Sequence, residues 1–159
     1  MKKYEFTGET KEIRLLFRTA TLHRIRATVA FGIVEVGDLG GWIEKEENLS
    51  HEGKAWVCGD AEVWGNAKVC GDAKVFSASH VLVIGAIGSR NDFTTFYRDK
   101  DNEITVKCGC FLGKIDRFLE KVTQTHGDSK YALVYRAAVE VAKLQIDLSG
   151  EVPKDADEE

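Results

Sequence analysis

The residues best suited to chemistry cluster in one stretch: Ser89, Arg90, Asn91, Asp92, Thr94 and Thr95, with Arg98 and Lys107 close behind. Hydroxyls, an amide and guanidinium groups are the donors that grip a phosphate. Phe93, Phe96 and Tyr97 lie among them and could stack a flat ring. The expected ligand site is therefore Ser89, Arg90, Asn91, Thr94, Thr95, Tyr97 and Arg98. The competing reading is a loop and an ordinary solvent-facing hairpin, since the chain lacks a glycine-rich phosphate loop of the Walker or dinucleotide type.

Other reactive types are sparse. The histidines are His23, His51, His80 and His126. Cys108, Cys110 and His126 form a conceivable metal set, but C-x-C without a second pair is a weak signal. Ser-His-Asp and Cys-His arrangements are not readable from residue order. Cys58 and Cys70 complete the thiols. No secretion signal accompanies them, so all four are expected reduced.

Positioning these residues falls to a repeat. From Gly53 to Gly88 the chain reads GKAWVC, GDAEVW, GNAKVC, GDAKVF, SASHVL, VIGAIG. Val57, Val63, Val69, Val75, Val81 and Ile87 recur every sixth place, each preceded two residues earlier by Ala55, Ala61, Ala67, Ala73, Ser79 or Gly85. Gly59, Gly65 and Gly71, each followed by Asp or Asn, supply turns. This period fits neither a helix nor a hairpin. It predicts a parallel coil with three flat sides, in which Val57 stacks on Val75, Val63 on Val81 and Val69 on Ile87. The last two hexads are irregular and are alternatively a plain strand opening the next unit. Outward positions Cys58, Trp64, Cys70, Phe76 and Leu82 form an apolar ridge, either covered by the C-terminal helices or available for self-association.

After Gly88 the period changes. Phe93–Arg98 reads as a strand, 99–102 as a turn and Glu103–Phe111 as its hairpin partner. Ile115, Phe118, Leu119 and Val122 mark a helix ended by Gly127. Asp128 or Ser129 caps a second, with Tyr131, Val134, Tyr135, Ala138, Val141 and Ala142 inward. The expected organisation is N-terminal strands or cap over 1–40, the repeat over 41–88, an α+β module over 89–147 and an acidic flexible tail over 148–159.

The net charge of −4 argues against coating nucleic acid, although the first thirty residues carry a basic surplus. No apolar run approaches the roughly 18 residues of a membrane span, and the N-terminus has no signal-peptide pattern. A cytoplasmic location is the expectation, that of the host cell if a phage encodes the chain.

Residues 37–76, from GDLGGWIEKEENLS through the regular hexads, resemble hexapeptide-repeat proteins of phages and prophages. That resemblance implies a left-handed coil, so the expected fold is mainly β with α, a short left-handed parallel β-helix followed by a hairpin and two helices. The stretch GSRNDFTTFYRDKDNEITVKCGCF and the two helices after it are similar to the module that accompanies such arrays. The module is also similar in element order to small phage proteins that sequester cyclic ADP-ribose or cyclic oligonucleotide signals. The implied function is a non-catalytic, homo-oligomeric binding protein without a cofactor. Its partner is a nucleotide-derived immune signal or a host defence protein. Alternatives are a coenzyme A-dependent acyltransferase using His51 or His80, and a purely structural interaction module.

Overall fold

The computed structural model describes residues 1–154. The acidic run 155–159, expected as a solvated tail, lies outside the described residues.

The chain opens with a long hairpin, β1 (Tyr4–Arg14) against β2 (Thr19–Ala27). β3 (Leu39–Ile43) pairs antiparallel with β2 on one side and parallel with β5 (Glu62–Val63) on the other. These strands make a mixed sheet in the order β1-β2-β3-β5. β4 (Trp56–Val57) and β6 (Lys74–Val75) form a separate parallel pair. β7 (Val81–Ile87), β8 (Asp92–Arg98), β9 (Ile104–Cys108) and β10 (Phe111–Lys114) are an antiparallel meander. Helices α1 (Ile115–His126) and α2 (Lys130–Gln145) follow.

The left-handed parallel β-helix expected over residues 41–88 is not the architecture. The two four-stranded sheets are mixed and antiparallel. Parallel pairing is confined to the two-residue ladders β3·β5 and β4·β6 and an isolated Leu49–Val69 bridge. Val57 does face Val75. The later stacks fail, because Val81 pairs antiparallel with Tyr97 and Ile87 with Asp92. After a 3-10 turn at Ala78–His80, the irregular hexads run from Val81 to Ile87 as the plain strand that opens the meander. The physical reason lies in their composition. Without the Gly-Asp turn after each valine, the chain runs straight and finds its partner in the neighbouring hairpin strand instead.

The period still marks what is buried. Val57, Val63, Val69 and Val75 are all buried, as are Ala55, Ala61, Ala67 and Ala73. Each such valine contributes about 1.5–3 kcal/mol relative to exposure. Gly59, Gly65 and Gly71 adopt φ of 60°, 65° and 66°, the left-handed turn conformation that a side chain would resist.

Two cores result. The first gathers the regular valines with Tyr4, Ile25, Ile43, Leu49 and Tyr97. The second packs Phe96, Ile104 and Val106 of the meander against Phe118 and Val122 of α1 and one face of α2. That α2 face is Ala132, Tyr135, Ala138, Val139 and Ala142; Tyr131 and Val141, expected inward, are exposed. The helix is rotated so that small residues meet the sheet and Tyr135 reaches its edge. α1 ends where expected, at Gly127, whose N–H donates to the Thr123 carbonyl at 2.9 Å.

Candidate functional site

The meander splits the predicted ligand cluster. Strand alternation and burial turn most of it inward. Tyr97 belongs to the first core, with its hydroxyl 3.7 Å from Cys70 Sγ. Thr94 Oγ1 donates to Cys108 Sγ at 3.4 Å, and Thr95 Oγ1 accepts the Lys68 N–H at 3.0 Å. Arg98 is buried. Its Nε donates to the Lys74 carbonyl at 3.0 Å and its guanidinium lies over the Phe76 ring. These four side chains are structural in this arrangement. Asn91 occupies the β7–β8 turn at φ 48°, a left-handed position that asparagine tolerates.

Ser89 and Arg90 remain at the surface and line a cleft of about 180 Å³ between the hairpin turns and the helices. The cleft floor is aromatic and apolar: Phe111, Phe118, Val122 and Tyr135. Its rim carries Arg90, Lys121, His126, Thr125 and Asp92. Arg90 and Lys121 make no ion pair or hydrogen bond among the described residues. Asp92 is partly committed, since its Oδ1 accepts the Phe93 N–H at 2.7 Å. Burial raises the Tyr135 phenol above its ordinary pKa, as does the adjacent Cys108, while Arg90 pulls the other way. Tyr135 therefore stays a protonated donor at neutral pH. A Cβ at Gly88 would collide with the Tyr135 hydroxyl, so the glycine is what lets α2 approach the turn.

Beyond Asp92 and Gly109 lies a notch of about 110 Å³, lined by Asn66, Lys68, Phe93, Thr95 and Lys107 as well. The ammonium groups of Lys68 and Lys107 are also unpaired among the described residues. Cations unpaired among the described residues thus continue from the cleft past β8 and β9 to Lys107 and Lys68.

Of the polar residues singled out in the sequence, Ser89, Arg90 and Asp92 line the cleft and Lys107 the notch, whereas Lys121, Thr125 and Tyr135 join them only in the fold. Helical spacing puts Lys121 and Thr125 on one row of α1, and Phe118 and Val122 on the next. That signal defines a face without saying which turn it meets. Cys108, Cys110 and His126 do line one cleft. Among the described residues, however, no three His, Cys, Asp or Glu side chains are grouped to hold a metal. All four cysteines are free thiols.

The histidines named for acyl transfer are held in the fold. His80 is buried, and its Nδ1 accepts N–H bonds from Phe76 and Ser77 at 3.0 and 3.1 Å. His51 stacks on Tyr4 at 4.1 Å and its Nδ1 accepts the Lys3 N–H at 3.2 Å. Its Nε2 is buried without a hydrogen bond, 3.8 Å from Glu46 Oε2. Burial depresses the pKa of both imidazoles. Of the outward ridge, Cys58 and Cys70 pack half-buried against the first core and Leu82 against the second. Phe76 is half-buried over Arg98, and Trp64 is the one ridge residue that stands exposed.

No protein-family model and no curated protein matches the chain. Among the described residues no helix is long and apolar enough to cross a membrane.

Proposed function

We propose that the protein is a non-catalytic binding protein whose ligand is a small anion carrying a flat ring. One observation carries the reading: Arg90 and Lys121, unpaired among the described residues, stand above an aromatic floor in a single cleft. Elsewhere on the chain many cations are matched, as in Lys2–Glu46, Arg18–Glu44 and Arg26–Glu5. Two cations that form no ion pair among the described residues, beside Phe111, Phe118 and Tyr135, suit a phosphoryl group next to a base. The Tyr135 hydroxyl and the Ser89 hydroxyl add neutral donors.

Size narrows the ligand. Cleft and notch, about 180 and 110 Å³, together approach the lower end of the roughly 300–1,000 Å³ of ordinary small-molecule sites. A ligand spanning both would put one phosphoryl group near Arg90 and Lys121 and a second near Lys68 and Lys107. Nucleotide-derived signals, such as cyclic nucleotides and cyclic ADP-ribose isomers, have this chemistry, and a protein that holds them without turnover acts as a sink.

Titration calorimetry with cyclic mononucleotides, cyclic dinucleotides, cyclic ADP-ribose isomers and inorganic phosphate tests the proposal. Binding by one nucleotide class is expected, weakened about tenfold or more by Arg90→Ala and by Lys121→Ala, in line with loss of a charge-assisted hydrogen bond. The ligand should be recovered chemically intact. No heat with any nucleotide, or affinity unchanged in both variants, rejects the reading.

A further inference from the structure

The β1–β2 hairpin ends in an apolar tip that its own chain does not cover. Leu16 and Phe17 are 88% and 94% exposed. Scattered surface hydrophobics need no explanation, but two large ones side by side at the apex of a long hairpin do. The tip is ordered. Leu15 N–H donates to the Arg18 carbonyl at 2.8 Å and closes the turn. Arg18 Nη1 and Nη2 donate to Glu44 Oε1 and Oε2 at 2.6 and 3.0 Å. Glu44 Oε2 in turn accepts the Gly65 N–H at 2.6 Å. This bidentate clamp fixes the hairpin tip to the turn just beyond β5.

On that same turn begins an apolar trench of about 270 Å³, walled by Val63, Trp64, Ala78, Val81, Leu82 and Val83. Its one charged lining residue, Glu62, is already paired with Lys11 at 2.5 Å. The trench lies between β5, an edge strand of the mixed sheet, and β7, an edge strand of the meander. A space of this size holds the liquid volume of about nine waters, and these walls offer water few partners.

We propose that the Leu16–Phe17 tip of one copy seats in the Trp64–Leu82 trench of a second copy, and the reverse, in a two-fold dimer. Three observations select a second copy as the occupant. The tip is two apolar side chains and the trench is apolar, with its single carboxylate neutralised inside the chain. Neither half is satisfied within one molecule, because the Arg18–Glu44–Gly65 clamp holds the tip with its side chains pointing into solvent. Both halves border one clamp: Arg18 follows the tip residues, and Gly65 follows Trp64 of the trench. A two-fold interface requires this, a knob and its hole on a common surface. Trp64 at the trench mouth provides the ring against which Phe17 packs.

Sedimentation equilibrium of the full chain, from low to high micromolar concentration, tests this. The wild type is expected to be a dimer. Leu16→Ser/Phe17→Ser removes the knob and Ala78→Arg blocks the hole; both positions are exposed, so each variant should fold normally and sediment as a monomer. An equimolar mixture keeps one intact knob and one intact hole per pair and should form heterodimers. A wild type that is monomeric throughout overturns the proposal. So does a knob variant that stays dimeric, or a mixture that stays monomeric at the highest concentration. A monomer that co-sediments with phosphatidylserine vesicles through Leu16 and Phe17 assigns the tip to a lipid surface and likewise overturns it. Because Arg90 and Lys121 play no part in this contact, its outcome is independent of ligand binding in the cleft.

Discussion

Phe96 and Tyr97 are neighbours on β8, both fully buried, and they belong to different cores. Tyr97 completes the interior formed by the regular valines, while Phe96 packs edge-on against Phe118 of α1, with ring centroids 6.4 Å apart. A strand buried on both faces locks the two halves together, since neither core closes without it.

Unfolding should therefore be one transition. Phe96→Ala opens the second core only, and is expected to cost about 3–5 kcal/mol, the range for buried aromatic truncation. Tryptophan emission reports the N-terminal half through Trp42, Trp56 and Trp64, of which Trp56 lies in the first core, and far-ultraviolet dichroism reports the helices. The two probes should give coincident urea midpoints in wild type and variant alike. Separate midpoints would mean that the cores unfold independently.

Lys114 holds three carboxylates together. Its Nζ lies 3.1, 2.8 and 2.9 Å from Asp99, Asp101 and Glu103. Asp99 is fully buried, and its Oδ2 also accepts the Thr105 hydroxyl at 2.7 Å. Lys114→Met leaves that buried carboxylate without its cation. Lys114 is itself partly exposed, so the cost should be about 1–2 kcal/mol rather than the larger loss of a fully buried pair. Lys114 holds the Asp101 carboxyl below its ordinary pKa, which adds stability above about pH 4 that is lost on acidification. The difference between wild type and variant, measured by urea titration, should accordingly shrink as the pH falls below about 4.

Asn48 ties three backbone groups. Its Oδ1 accepts the Lys45 N–H at 2.9 Å, and its Nδ2 donates to the carbonyls of Gly65 and Ala67 at 3.1 and 2.9 Å. The side chain is fully buried. Asn48→Ala strands these groups and should cost about 2–3 kcal/mol. Asn48→Asp should be no better, because it replaces two donated bonds by repulsion between oxygens. Thermal denaturation of the two variants checks this; a variant within about 0.5 kcal/mol of wild type, the usual range of a neutral surface change, would refute the account.

Lys3 sets an alkaline dependence. Its Nζ donates to the carbonyls of Ala55 and Gly53 at 2.7 and 3.3 Å and lies over the Phe31 ring. Burial lowers its pKa to about 8, opposed by Cys70. Between about pH 8 and its ordinary value the unfolded chain binds the proton and the folded chain does not, so this group makes stability rise with pH there. Tyr4 and Tyr97, both shifted upward by burial, act in the opposite sense near pH 10 and above. Comparing wild type with Lys3→Met from pH 7.5 to about 9.5 isolates the lysine. The wild type should gain on the variant as pH rises, and a constant gap would show that Lys3 does not titrate there.

The amino-acid pattern alone located the buried positions of the regular hexads and of α1. Val57, Val63, Val69 and Val75, the alanines beside them and the apolar rows of α1 are all where periodicity puts them, because burial depends on local side-chain direction. It also located the hairpin strand as Phe93–Arg98, one residue short of the observed Asp92–Arg98, and the stop at Gly127. Only the tertiary structure decided how the strands pair, since backbone groups carry no sequence label and their partners are distant in the chain. That choice turned Val81–Ile87 into a meander strand, buried Thr94, Thr95, Tyr97 and Arg98, and brought Lys121 and Tyr135 of two helices to the turn that holds Arg90.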